Sequence, residues 1–399
     1  MSEASITLPK EVKYTSTNQS WHKLPKMSLI AGLVLTVFGF IVGAQWKQFL
    51  LSYVQTFMFF LSIGLGSLFL VIVHHIFDAN WSVPTRRICE NISVTFLTVL
   101  APMWLPIMFF GPQIYEWMGE NPIFPHALEA KEVYLNRFAW SIRGFIYFAV
   151  WIGVSHNLRK LSLSQDVDGS AAHTHKMRRW AAGWILPFAV TLTLAAIDWC
   201  KSMQSGWFST MFGVYYFAGS VWVTLATLYM FALLMKKEGP LSTILAFKHF
   251  KSIGTLFFAF TVFYAYIAFS QYFIIWNANL PEETFWYAIR DQGSWRSIGM
   301  LMIFGHFFVP FLTLLRVDAK MNPTLMILVG IWAWVMHVLD LNFIIMPSQS
   351  PEAFSPSIFD ISIWLLFFGV LVTLFLKSFR AHPAFPVKDP RLGESLSNH

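Results

Sequence analysis

An all-α membrane protein is the fold class this sequence predicts, and three observations predict it. Of its 399 residues, 56% are hydrophobic, 18% aromatic and only 12% charged, whereas soluble domains carry roughly 25% charged residues. The apolar residues gather into about ten runs, each near the ~20 residues that a bilayer-crossing helix needs. Lys and Arg collect in alternate connections between those runs. Lipid offers the backbone no hydrogen-bond partners, so runs of this kind must satisfy their own amides and carbonyls, as helices do.

Residues 1–28 are polar and carry Lys10, Lys13, Lys23 and Lys26. They hold no apolar stretch followed by a small-residue cleavage site, so they read as a cytoplasmic arm rather than a signal peptide. The expected transmembrane body covers 29–380, and 381–399 form a second cytoplasmic tail. Within the body the spans fall near 29–46, 53–77, 88–110, 138–156, 180–200, 211–235, 252–276, 295–315, 323–345 and 358–380. The first is the shortest, and its Gly39 and Gly43 have the GxxxG spacing that lets helices approach closely. Pro102, Pro106, Pro187 and Pro310 lie inside spans, where they serve as kinks and packing features.

With the N-terminus placed inside, 21 of the 28 Lys and Arg residues fall on the inner segments. This bias orients both termini to the cytoplasm. It also accounts for the net charge of +7 as a topology signal, so no nucleic-acid partner is expected. Cys89 and Cys200 are far apart, with no CxxC or CxxCH. The chain alone therefore ligates neither an iron–sulfur cluster nor c-type haem, and both thiols read as buried.

The outer connections differ in character. Gly111 to Arg137 carries Glu116, Glu120, Glu129 and Glu132, and Asn277 to Ser294 reads NANLPEETFWYAIRDQGS. Trp117, Phe285, Trp286 and Tyr287 suit either an interfacial aromatic belt or a docking platform for extracytoplasmic partners.

Ionisable residues in the spans sort into layers. Towards the cytoplasm lie His74, His75 and Asp78 at the end of the second span, Glu90 opening the third, and His156 ending the fourth. Towards the outside lie Arg143 in the fourth span, Asp198 ending the fifth, His337 and Asp340 in the ninth, and Asp360 opening the tenth. His306, Tyr264, Tyr266 and Gln271 are near the middle. Residues three apart share a helix face, so His337 pairs with Asp340 and His75 with Asp78. Such pairs exchange a proton readily, because histidine titrates near neutral pH. The two layers read as half-channels separated by a barrier near His306. Charges at helix ends cost little, so an interfacial role suffices for Asp78, Glu90 and Asp360, while the deeper His306, His337 and Asp340 read as functional. Arg143 is expected to pair with Asp198 or Asp340. His306 and His337 are the deep candidates for b-type haem ligation, but their estimated depths differ, so neither haem nor a metal centre is expected. The fifth span ends AAIDWC and the ninth reads VLDLNF. This echo makes Asp198 and Asp340 equivalent positions in two related four-helix bundles, spans 2–5 and 6–9.

The string DWCKSMQSGWFSTMFGVYYFAG, Asp198 to Gly219, resembles a signature of the polytopic subunits of alternative complex III. That family is a bacterial quinol-oxidising respiratory assembly, related to the membrane subunit of polysulfide reductase. The loop IIWNANLPEETFWYAIR, Ile274 to Arg290, resembles the same family. The segment HHIFDANWSVPTRRICE, His74 to Glu90, resembles its smaller large-membrane subunit, the F subunit. The resemblance implies two four-helix bundles flanked by one helix at each end, in a bacterial inner membrane. It implies a larger polytopic paralogue as partner, with extracytoplasmic iron–sulfur and multihaem cytochrome c subunits, all among lipids. Quinol oxidation belongs to the paralogue in this picture, and the smaller subunit binds quinone or carries protons. A chain without redox ligands but with ionisable groups at several depths agrees with proton conduction. The alternatives are a second quinol site at the outer face, using Asp198, Arg143 and His337 as proton acceptors, a secondary transporter, and a scaffold.

Overall fold

The computed structural model describes residues 9, 11–15, 20–120 and 125–397, so Lys10 of the polar tail lies outside the described residues. Ten of its helices are long and apolar enough to cross a membrane, as the sequence predicts. They are α1 (Leu24–Ile41), α2 (Trp46–Ile76), α3 (Val83–Phe109), α4 (Arg137–Asp168), α5 (Ala171–Trp199), α6 (Phe212–Lys236), α7 (Phe247–Ala278), α8 (Gly293–Leu315), α9 (Pro323–Ile345) and α10 (Ile358–Ala381). Hydropathy misplaces one end in particular. α4 runs well past His156 to Asp168 and stops only where Gly169 turns left-handed at φ +70°. Ser170 then caps α5 by accepting from the Ala172 amide. Hydropathy marks where the apolar zone ends, but capping chemistry decides where the helix ends.

α2, α3, α4 and α5 pack in a closed ring, and α6, α7, α8 and α9 form a second ring. The rings meet along α2 and α6, the two most buried spans. At this seam a Cβ on Gly66 would lie 2.6 Å from the Ser220 carbonyl and closer still to the Thr224 hydroxyl. Only glycine lets the bundles come this close. α1 and α10 flank the bundles as a packed pair, with α10 resting on α2 and α3. A Cβ on Gly32 would stand 2.7 Å from the Ser362 carbonyl, and one on Gly39 would meet the Phe359 ring. Gly43 lies beyond the helix at φ +84° in open space, so only Gly39 of the expected GxxxG pair packs.

The described N- and C-terminal segments meet at one end of the bundles, where the Ala384 amide donates to the Val12 carbonyl (2.8 Å). At the opposite end a short helix, Pro281–Arg290, covers the second bundle. Its Trp286 is buried, as is Trp117, while Phe285 and Tyr287 are half-buried against the core. Phe285, Trp286 and Tyr287 are packing residues of this helix, and Trp117 packs in the separate Glu116–Met118 turn, so none of the four forms an exposed aromatic belt. The amphipathic spacing of the segment gives the reason: its apolar face closes over the bundle instead of facing lipid.

Candidate functional site

The deepest polar cluster lies in the second bundle. Asn322 starts α9 by accepting from the amides of Thr324 and Leu325. Helical spacing then sets His337 and Asp340 on one face, with Nδ1 and Oδ2 4.0 Å apart. On α8, Pro310 has no N–H to give the carbonyl four residues back, and the helix widens into a π turn over Met302–Phe308. The Val309 amide reaches the Phe304 carbonyl, five residues back, and Trp332 Nε1 donates to the Gly305 carbonyl (2.7 Å). The widened turn carries His306 inward. Its ring lies between Trp222 and Tyr264, with centroids 3.9 Å away on each side and planes within about 21°. Neither His306 ring nitrogen has a hydrogen-bond partner among the described residues.

The hydroxyls of Tyr264 and Tyr215 are 2.7 Å apart, and Tyr215 donates a short hydrogen bond to Asp340 Oδ1. On the far side His337 Nε2 meets the Ser62 hydroxyl at 2.9 Å, and that hydroxyl donates to the Phe59 carbonyl. Ser62 has one proton, so His337 Nε2–H is the donor in this arrangement and Nδ1 faces Asp340 with a free lone pair. At 4.0 Å the two atoms are too far apart for a direct hydrogen bond. Among the described residues, His337 is the only basic group paired with Asp340.

Asp198 is surrounded differently. Arg143 grips both carboxylate oxygens, Nε to Oδ2 at 2.8 Å and Nη2 to Oδ1 at 2.9 Å, and the Tyr147 hydroxyl adds a third bond at 2.7 Å. The Asp198 carbonyl accepts from Trp140 Nε1 and from Ser202. Arg143 also lies over the Tyr134 ring at 3.9 Å. Arg143 thus pairs with Asp198 and leaves Asp340 alone.

A third network lies at the end that carries the termini. Arg86 donates to Glu90 (2.8 Å) and Asp389 (2.6 Å) and meets His74 Nε2 at 2.8 Å, while His74 Nδ1 meets Ser82 at 2.6 Å. Arg87 pairs with Asp166 and, at 3.3 Å, with Glu90. Asp389 lies outside the spans. Burial works to raise its carboxyl, but the guanidiniums of Arg86 and Arg391 and the Arg391 amide outweigh burial and hold the pKa down at about 2.

Several expectations need correction. Asp78 does not face His75: α2 ends at Ile76, Asp78 turns left-handed, and its carboxylate pairs with Arg178 and Arg391. Three-residue spacing brings side chains together only inside a helix. His75 is buried with neither ring nitrogen bonded. His156 is exposed, bonds only the Ile152 carbonyl of its own helix and joins no network. Tyr266 also faces outward. Asp360 closes a capping box on α10 and accepts from Ser52, a structural role. Glu90 is not an end charge but a fully buried member of the arginine network.

His306 and His337 stand at one depth rather than two, because the π turn shifts His306. On α2 the stretch from Ser62 to His74 spans about 18 Å at 1.5 Å per residue and is mostly Leu, Ile, Val, Phe and Gly. Gln271 belongs to the covered mouth, accepting from Ser209 (2.8 Å) and donating to Tyr287 (3.1 Å). Beside it Trp207 stacks on Trp286 at 4.6 Å and donates to the Glu283 carbonyl. The 198–219 string and the 274–290 loop, apart in sequence, are thus one packed unit. Tyr215, Ser62, Trp222, Arg87, Asp166 and Asp389 were not legible as site residues, since each acquires its role from a partner at least 49 residues away.

His306, His337 and Asp340 bring donor atoms within 4.8 Å of one another. Tetrahedral zinc with bonds of about 2.0–2.1 Å holds its ligands roughly 3.4 Å apart, so this trio is spread wider than a formed site. No protein-family model matches the chain, and no curated protein matches it either.

Proposed function

We propose that this chain is a proton-conducting membrane subunit of a bacterial quinol-oxidising respiratory complex. The observation that carries the reading is Asp340, a buried carboxylate without an arginine or lysine partner, set among Tyr215, Tyr264 and His337. An ionisable group at membrane depth is costly unless function uses it. Phenols and imidazole can pass a proton along hydrogen bonds without moving heavy atoms far. In this reading protons enter the cluster from the covered mouth near Gln271. The His74–Arg86–Glu90 network forms the other half-path, and the apolar stretch of α2 is where the halves must be bridged.

The alternative complex III resemblance supplies the assembly: a larger membrane paralogue, iron–sulfur and cytochrome c subunits docked at the end opposite the termini, and quinol as reductant. The lysine and arginine bias supports cytoplasmic termini in an inner membrane. Quinol binding at Asp198, Arg143 and His337 has less support. Arg143 and Tyr147 already use the Asp198 oxygens, and His337 sits in the other bundle.

The test uses the full chain in liposomes carrying an internal pH dye, with a potassium diffusion potential as driving force. Asp340→Asn is expected to lower proton flux at least about tenfold, in line with the loss of a positioned acid–base group. Flux equal in wild type and variant would leave a scaffold.

A further inference from the structure

We propose that the face of α5 at the end carrying the termini binds one anionic phospholipid from the adjoining leaflet. A cavity of about 480 Å³ opens there between α4 and α5, lined by Leu161, Lys176, Arg179, Trp180, Gly183 and Trp184. The basic residues of this end are otherwise mostly engaged: Arg86 and Arg87 with carboxylates, Arg178 with Asp78, and Arg159 with Asn91 and Ser378. Lys176 and Arg179 are exposed and pair with no carboxylate among the described residues. Being three apart, they present two cations on one face, one for each non-bridging oxygen of an anionic phosphodiester.

Below them the groove changes character at the depth where a lipid does. Trp180 and Trp184 lie one turn further on with ring centroids 5.5 Å apart, and indoles favour the headgroup boundary. A Cβ on Gly183 would meet nothing within 4 Å, so this position is a notch between the indoles. The stripe continues through the exposed Leu186 and Val190. From Arg179 to Val190 the helix rises about 16 Å, close to the ~15 Å depth of one leaflet's hydrocarbon. Cations, indoles, notch and apolar stripe thus follow the order of phosphate, glycerol and acyl chain. The proposal is independent of proton conduction.

The experiment places the full chain in nanodiscs of equal phosphatidylglycerol and phosphatidylcholine and counts retained lipids by native mass spectrometry. Wild type is expected to keep one phosphatidylglycerol in clear preference to phosphatidylcholine. Lys176→Ala with Arg179→Ala is expected to weaken that preference by roughly 30-fold, the effect of two cations near an anionic surface. Both side chains are exposed, so folding is not at risk, and Lys251→Ala serves as a control cation that leaves retention unchanged. Equal retention of the two lipids by wild type overturns the proposal. So does unchanged retention in the double variant, which would place the lipid elsewhere.

Discussion

Asp198 and Asp340 occupy the last helix of their respective bundles, both are buried, and their surroundings are opposite in kind. Asp198 is held by a bidentate arginine, a permanent cation. Asp340 is held by tyrosine hydroxyls and faces a histidine, groups that can each gain or lose a proton. Each bundle buries a carboxylate on its last helix, and the local partners differ. One ties α4 to α5 at the bundle end. The other lies among tyrosine hydroxyls and a histidine in the core of the second bundle. A buried acid is therefore informative only together with the residue that neutralises it.

The sharpest way to break this comparison is to strip Asp198 of its partner. Arg143→Met leaves a fully buried carboxylate uncompensated and is expected to cost about 3–5 kcal/mol, the usual penalty for halving a buried ion pair. Denaturant unfolding in detergent measures it, and a loss under 1 kcal/mol would contradict a locking role.

A third carboxylate, Asp389, extends the comparison outside the membrane. Its folded pKa of about 2 lies below the unfolded value, so its contribution is full above pH 4 and fades as pH falls towards 2. The difference in unfolding free energy between wild type and Asp389→Asn should be about 2 kcal/mol at pH 6 and shrink steadily below pH 4. A difference independent of pH would sever the link to Arg86 and Arg391.

Asp340→Asn should have the smallest effect on stability, within about 1 kcal/mol, because tyrosine can donate to an amide oxygen as it does to a carboxylate. The same unfolding assay reads this, and a cost near that of Arg143→Met would mean that Asp340 too is a structural charge.

Much of the fold was legible because its cause is local. Every span was found near its predicted place, as was the pairing of rings α2–α5 and α6–α9. His337 and Asp340 were recognisable from helical spacing within one apolar run. The failures share a physical origin. His75 and Asp78 have the same spacing, but the helix ends between them. His156 looked like a span end because hydropathy falls there, although the helix continues for three more turns. Trp286 looked exposed because loop aromatics usually serve interfaces, whereas here the short helix folds its apolar face over the bundle, and Trp117 is buried in the Glu116–Met118 turn. His306 was placed too far from His337, since a π turn shifts a side chain in a way that no periodicity of 3.6 can anticipate.

Sequence alone determined the class, the ten spans and the location of nearly every charge along them, because lipid imposes its demands residue by residue: an apolar run of sufficient length must be a helix. Tertiary structure alone decided which aspartate received the arginine, which histidine stood beside Asp340, and how closely α2 and α6 approach at Gly66. Those outcomes depend on the relative depth and rotation of helices far apart in the chain. A shift of one residue turns a helical side chain by about 100°, enough to exchange a buried partner for lipid.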